Sequence, residues 1–164
     1  MKDKRDQVQF NSQKAELEQL THLHRMGYIE LYYCDESHFG LTPNVGYAWQ
    51  KKDAPILLPA SKGKRLSVLG LMTPDCKLFS RIFEGSINSD TAITVMDEFC
   101  QTITKRTVVV IDNAPIHRSK KFMAKVEQWR ELDLWIYFLP PYSPELNIIE
   151  ILWRFMKYQW LPFD

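Results

Sequence analysis

The sequence predicts an α/β fold: a mixed five-stranded sheet flanked by helices, three antiparallel strands leading and two parallel strands following. Two changes of pattern carry that expectation. The first half holds aromatic and β-branched runs divided by turn residues, as hairpin strands do. The second half alternates helical periodicity with short unbroken apolar runs, as strands covered on both faces do. Size agrees, since 164 residues at 45% apolar content can bury one sizeable core.

Each element follows in order. Residues 12–26 place Leu17, Leu20 and Leu23 on a helix, with Ser12 as its N-cap and Gly27 as its stop. Residues 1–27 thus read as a lead-in helix and linker to a domain over 28–164. Strands are expected over 28–35 (YIELYYCD), 65–73 (RLSVLGLMT) and 77–83 (KLFSRIF), the last two joined as a hairpin through Pro74 and Asp75. Between the first and second, Pro43, Asn44, Gly46, Pro55, Pro59 and Gly63 mark a surface excursion containing a short strand at 47–50. A helix over 88–104 carries Ile93, Met96 and Phe99 at helical spacing. A buried strand at 107–111 (TVVVI), a helix at 119–132 and a buried strand at 134–139 (LWIYFL) come next. Ser143 and Pro144 open a final helix through Tyr158. No repeat or low-complexity tract interrupts this order.

Composition excludes several classes. Twenty-one Lys and Arg against 20 Asp and Glu give a net charge of +1, without the basic excess of a free-standing nucleic-acid binder. Any DNA contact must come from a local patch. Cys34, Cys76 and Cys100 show no CxxC spacing, so neither a disulfide framework nor a zinc knuckle is indicated, and a reducing cytoplasm is expected. No apolar run approaches the ~18 residues of a membrane span, and the polar N-terminus does not resemble a secretory signal.

Three acids stand where chemistry would need them. Asp35 closes YIELYYCD, Asp112 closes TVVVID, and Glu150 lies on the final helix. Two-metal phosphoryl transfer requires such carboxylates, because hard divalent cations take oxygen ligands and a pair of ions must be neutralised. Taken singly, each acid has an ordinary explanation. An aspartate after a strand commonly forms a turn or caps a helix. Glu150 shares a polar helical stripe with Asn147, Arg154 and Lys157, where a Glu150–Arg154 pair on a solvated face reads equally well.

The segments CDESHF (34–39), VVVIDNAPIHRS (108–119) and FLPPYSPELNIIEILWRFMK (138–157) occur in an order that, together, resembles the catalytic domain of mariner-superfamily transposases, in their bacterial insertion-sequence branch. LPPYSPELN-x-IE-x-LW is the most specific of these signatures, IDNAPIH less so, and DES least. The resemblance implies a ribonuclease H-like fold and an Asp-Asp-Glu nuclease and strand transferase. It makes Asp35, Asp112 and Glu150 the catalytic, metal-binding triad, holding two Mg²⁺ or Mn²⁺ ions per active site. It implies duplex DNA as partner, at transposon ends and target, a homodimer in the functional complex, no membrane, and work on the nucleoid in the bacterial cytosol. It also places the strands of Asp35 and Asp112 side by side and parallel, with Glu150 approaching from its helix. Three departures stand out. Relatives carry helix-turn-helix domains ahead of this region, where here few residues precede the first strand; the chain ends at WLPFD soon after the final helix; and Ile148 stands where relatives commonly have proline. Weak, salt-dependent DNA binding without sequence preference is therefore expected. Two rivals stay open: a catalytically silent DNA-binding or dimerisation remnant, and a ribonuclease H or junction resolvase on the same fold.

Subsidiary candidates for DNA contact are Asn113, His117, Arg154 and Lys157. His117 reads equally as a phosphate contact or as a hydrogen-bond partner at the start of a helix. Glu36 points to the sheet face opposite Asp35 by strand alternation and is expected in solvent. His22 and His24 read as surface residues. Tyr47 and Trp49 suit either base stacking or core, and Lys51, Lys52, Lys62, Lys64 and Arg65 either backbone contact or a solvated charge run.

Overall fold

In the computed structural model, residues 6–40 and 65–160 are described. Helix α1 (Gln7–Arg25) leads into β1 (Glu30–Phe39), followed by β2 (Leu66–Met72), β3 (Leu78–Glu84), α2 (Ser89–Cys100), β4 (Thr107–Ile111), α3 (Lys120–Glu131), β5 (Leu134–Phe138) and α4 (Ile149–Phe155). The sheet runs β3-β2-β1-β4-β5. β1 pairs antiparallel with β2 and parallel with β4, while β2–β3 are antiparallel and β4–β5 parallel. This is the mixed sheet that the sequence pattern implies.

Alternation along the strands divides the core in two. Cys34, Leu69, Leu71, Val109 and Ile111 face α2 and α3, where Val95, Met96, Phe99, Phe122 and Trp129 are buried. Leu31, Tyr33, Val68, Val108 and Val110 face the other way, onto Phe10 and Leu17 of α1 and Ile149 and Trp153 of α4. Each fully buried side chain of this size stabilises by about 1.5–3 kcal/mol. The continuous apolar runs of β4 and β5 are thus explained by cover on both faces. Gly70 sets how α4 docks. It lies opposite Asp35 in the β1–β2 register, and a Cβ there would come within 2.7 and 2.8 Å of the Trp153 ring.

Several boundaries differ from expectation. α1 begins at Gln7, not residue 12, because Asp6 is its cap: Oδ1 accepts from the Val8 and Gln9 amides at 2.9 and 3.1 Å. Ser12 lies inside the helix and donates to Glu16 at 3.3 Å. Gly27, at φ 80, follows the helix as the left-handed stop anticipated. β1 runs past Asp35 to Phe39, because β2 continues to pair with it as far as Phe39. The final helix is interrupted: a 3₁₀ turn at Pro144–Leu146, extended backbone at Asn147, α4, then a wider turn over Met156–Trp160. The break coincides with capture of the Asn147 side chain, whose Nδ2 donates to the Cys34 carbonyl at 2.9 Å. His24 is not a free surface residue. Its Nδ1 accepts the Leu31 amide at 3.2 Å, and its Nε2 meets Asp75 at 3.1 Å. The short strand at 47–50, with Tyr47 and Trp49, and the lysines Lys51, Lys52, Lys62 and Lys64 lie outside the described residues; Arg65 is exposed. Among the described residues, no helix is long and apolar enough to cross a membrane.

Candidate active site

The parallel β1–β4 ladder ends at Tyr33 and Val110. Beyond it β4 stops at Ile111, and Asp112 follows at once. β1 continues, so Asp35 lies within its strand where pairing passes to β2 alone, not at a strand end as the sequence suggested. Asp35, Asp112 and Glu150 line one cavity of about 450 Å³, closed on its far side by the loop from Leu139 to Pro144. A second cavity shares Pro144, Asn147 and Glu150 with the first and continues along α4 past Trp153, Arg154 and Lys157. The polar stripe read off the helix thus faces a groove. No ion pair joins Glu150 to Arg154 among the described residues.

The three carboxylates differ in how they are held. Asp112 Oδ1 accepts the Ala114 amide at 2.9 Å and His117 Nδ1 at 2.8 Å. Burial opposes its charge, but the hydrogen bond from His117, the Ala114 amide and the imidazole's charge outweigh that, holding the carboxyl below the usual range. His117 is completely buried, and its Nε2 stands 3.0 Å from Glu36 Oε1, an ion pair without hydrogen-bond alignment. Burial disfavours the imidazolium, yet Asp112 and Glu36 on either side raise its pKa to about 9. Asp35 shows the opposite balance. Burial, then the charges of Glu150, Glu36 and Asp112, push its carboxyl up to about 8, against one hydrogen bond from the Glu36 amide. Glu150 is half-buried and has no hydrogen-bond or ion-pair partner among the described residues.

The donor set suits a hard divalent cation. Carboxylates from three segments line one cavity, and among the described residues no cation offsets the negative charge at Asp35 and the buried Asn147 Oδ1 in the same wall has no partner. As they stand, no three His, Cys, Asp or Glu side chains among the described residues are gathered tightly enough to hold one ion.

The subsidiary candidates separate. His117 is enclosed and cannot reach DNA; its hydrogen bond is to Asp112 instead. Glu36 does point away from Asp35's face, but into the packed α2–α3 side rather than solvent, because His117 waits there. Asn113 lines the cavity with both ends of its amide engaged, Nδ2 donating to the Leu139 carbonyl and Oδ1 accepting from Arg118. Arg154 is exposed on the groove, and Lys157 stands 5.6 Å from the Phe39 ring centre. Gly70's part and the Asn147–Cys34 bond were both missed at the level of sequence. For Asn147 a signal existed in its place three residues before Glu150 on the polar stripe.

Known structures share this architecture. The Mos1 transposase paired-end complex with left transposon end superposes with a TM-score of 0.61 at 17% identity, covering 93% of this chain and 49% of that one. The pre-cleavage Mos1 transpososome gives 0.59 at 15% identity, over 97% and 52%. The Mos1 strand transfer complex gives 0.58 at 15%, over 94% and 46%. These likenesses show a ribonuclease H-like fold, and the chain spans about half the length of the proteins it matches. No curated protein matches it in sequence. Residues 30–164 match the family of DDE superfamily endonucleases, and the chain belongs to that family.

Proposed function

We propose that this chain is the catalytic core of a transposase of the bacterial insertion-sequence branch of the mariner superfamily. It cuts a DNA strand and joins the freed 3′-OH to a second duplex, acting on the nucleoid as a homodimer on paired transposon ends. One observation carries this reading: Asp35, Asp112 and Glu150, drawn from two strands and a helix, line one cavity. Family membership supports the nuclease chemistry. Mos1 mariner paired-end complexes with Mn and with Mg support the choice of cation.

Asp35, Asp112 and Glu150 would hold two Mg²⁺ or Mn²⁺ ions, which when bound would acidify the attacking water or 3′-OH and neutralise charge on the phosphoryl oxygens. The protein's own part is placement. Asp112 is presented in one orientation by His117 and the Ala114 amide. Burial and the charges of Glu150, Glu36 and Asp112 hold the Asp35 carboxyl up to about 8, and bound cations would favour its ionised form. Glu150 is presented from the short helix α4. In-line displacement asks for no protein nucleophile.

Mn²⁺-dependent nicking of supercoiled plasmid should fall on the order of a thousandfold in Asp112→Ala, since the cations contribute several kcal/mol to the transition state. Equal rates in both proteins would reject the reading. Joining of a labelled 3′ end to a second duplex separates a transposase from a hydrolase of the same fold. Mn²⁺ at tenfold excess over its dissociation constant should stabilise the wild type by about 1.4 kcal/mol, and should leave Asp35→Ala/Asp112→Ala unmoved.

A further inference from the structure

Cations held by the three carboxylates would meet the scissile phosphate alone, so the phosphates on either side of it call for positive charge from the protein itself. On the Glu150 side Arg154 and Lys157 line the groove. On the Asp112 side one arginine, Arg118, is joined to the cavity wall through Asn113. Arg118 Nε donates to Asn113 Oδ1, and Asn113 Nδ2 donates to the Leu139 carbonyl; Asn113 and Leu139 both line the cavity. The Arg118 guanidinium lies 3.8 Å from the centre of the Phe138 ring. Its backbone amide is bonded to the Ala114 carbonyl at 3.2 Å. The side chain is exposed, and its two terminal amino groups have no partner among the described residues.

Resting on the function proposed above, we infer that Arg118 is a phosphate-binding residue, gripping the DNA backbone next to the scissile position on the Asp112 side. A guanidinium held 3.8 Å from an aromatic ring centre, with its Nε already engaged, keeps its two terminal amino groups as a restrained donor fork, and planar bidentate recognition of phosphate is what such a fork does best. Little rotamer freedom is left to lose on binding, unlike a free surface lysine. The neighbouring Lys121 is committed elsewhere, to Asp90 at 2.9 Å.

The test uses the full chain and short duplexes, with affinity measured against salt. Arg118→Ala should weaken binding by roughly 10- to 100-fold, the range for a charge-assisted hydrogen bond. Its plot of log affinity against log salt should be shallower by about 1. Arg118→Lys should fall between. Arg118→Gln, which keeps bulk and a donor for Asn113, replaces alanine if that variant does not fold. A scan of duplexes carrying single neutral methylphosphonate linkages should find one position that weakens the wild type and leaves the Arg118 variants unchanged. Unaltered salt slopes, or methylphosphonate effects equal in both proteins, would overturn the assignment while wild-type nicking left the transposase reading standing. Loss of the Mn²⁺-induced thermal shift in the variants would also overturn it, by making Arg118 a prop for the carboxylate site. A wild type that neither binds nor nicks would end both.

Discussion

The two ends of the sheet treat their acids in opposite ways. At the end where β1 begins, Asp75 and Glu30 each meet a cation or a donor. Asp75 lies 3.1 Å from His24 and 3.6 Å from Lys77, and hydrogen bonds from Thr73 and His24 hold it down to about 2. Glu30 stands 3.2 Å from Lys105 and 3.4 Å from His24. At the other end Asp112 is held below the usual range by His117 and the Ala114 amide, while Asp35 is driven up to about 8 and Glu150 has no partner among the described residues. One end pairs these acids; the other leaves Asp35 and Glu150 uncompensated among the described residues. Uncompensated charge of that kind is a mark of a functional site, in keeping with the cation-binding role proposed above.

The largest effect should come from removing that uncompensated charge. Asp35 is protonated more readily in the folded than in the unfolded protein, whose aspartates titrate near pH 3.9. The wild type without metal should therefore lose stability as pH rises from about 4 to 8, and the full penalty should be present above 8. Asp35→Asn should abolish this fall, a difference of a few kcal/mol at pH 9 at about 1.4 kcal/mol per pH unit, read from urea melts. Parallel curves for the two proteins would show that the carboxylates are not crowded. Next in size is the seat of α4. Gly70→Ala forces Trp153 off the sheet, which should cost about 1–3 kcal/mol. If α4 is what brings Glu150 to the cavity, the same variant should lose Mn²⁺-dependent nicking while still folded at 25 °C. The smallest effect belongs to the neutralised end. Asp75 is exposed and its pKa is depressed, so its contribution is present above about pH 4 and lost as pH falls towards 2. Asp75→Asn should alter stability slightly at pH 7 and not at all at pH 2; a large change at pH 7 would erase the contrast between the ends.

What the sequence disclosed follows from how locally each feature is encoded. β4 was legible to the residue because five consecutive buried positions leave no polar interruption. α3 was legible within a residue at each end, because Ser119 is a genuine cap whose oxygen accepts the Phe122 amide. The carboxylates were found through motif resemblance, and their meeting in one cavity agrees with the strand order it implied. The remainder is encoded at a distance. Nothing near residue 147 announces that its amide will reach the Cys34 carbonyl and split the last helix. Glu36 reads as a solvent residue until His117, far along the chain, supplies its partner. Gly70 reads as a weak point in a strand until Trp153 lies against it.

The Asn147–Cys34 bond also has a consequence in time. It ties two residues 113 positions apart, and the ribosome delivers them in that order. β1, carrying Asp35, leaves the exit tunnel long before β4 exists to pair with it, and α4 emerges later still. While translation is under way the nascent chain holds its carboxylates on separate, unjoined pieces. The cavity that Asp35, Asp112 and Glu150 share is therefore completed only when the stretch around Glu150 has been made and has packed back onto the oldest strand.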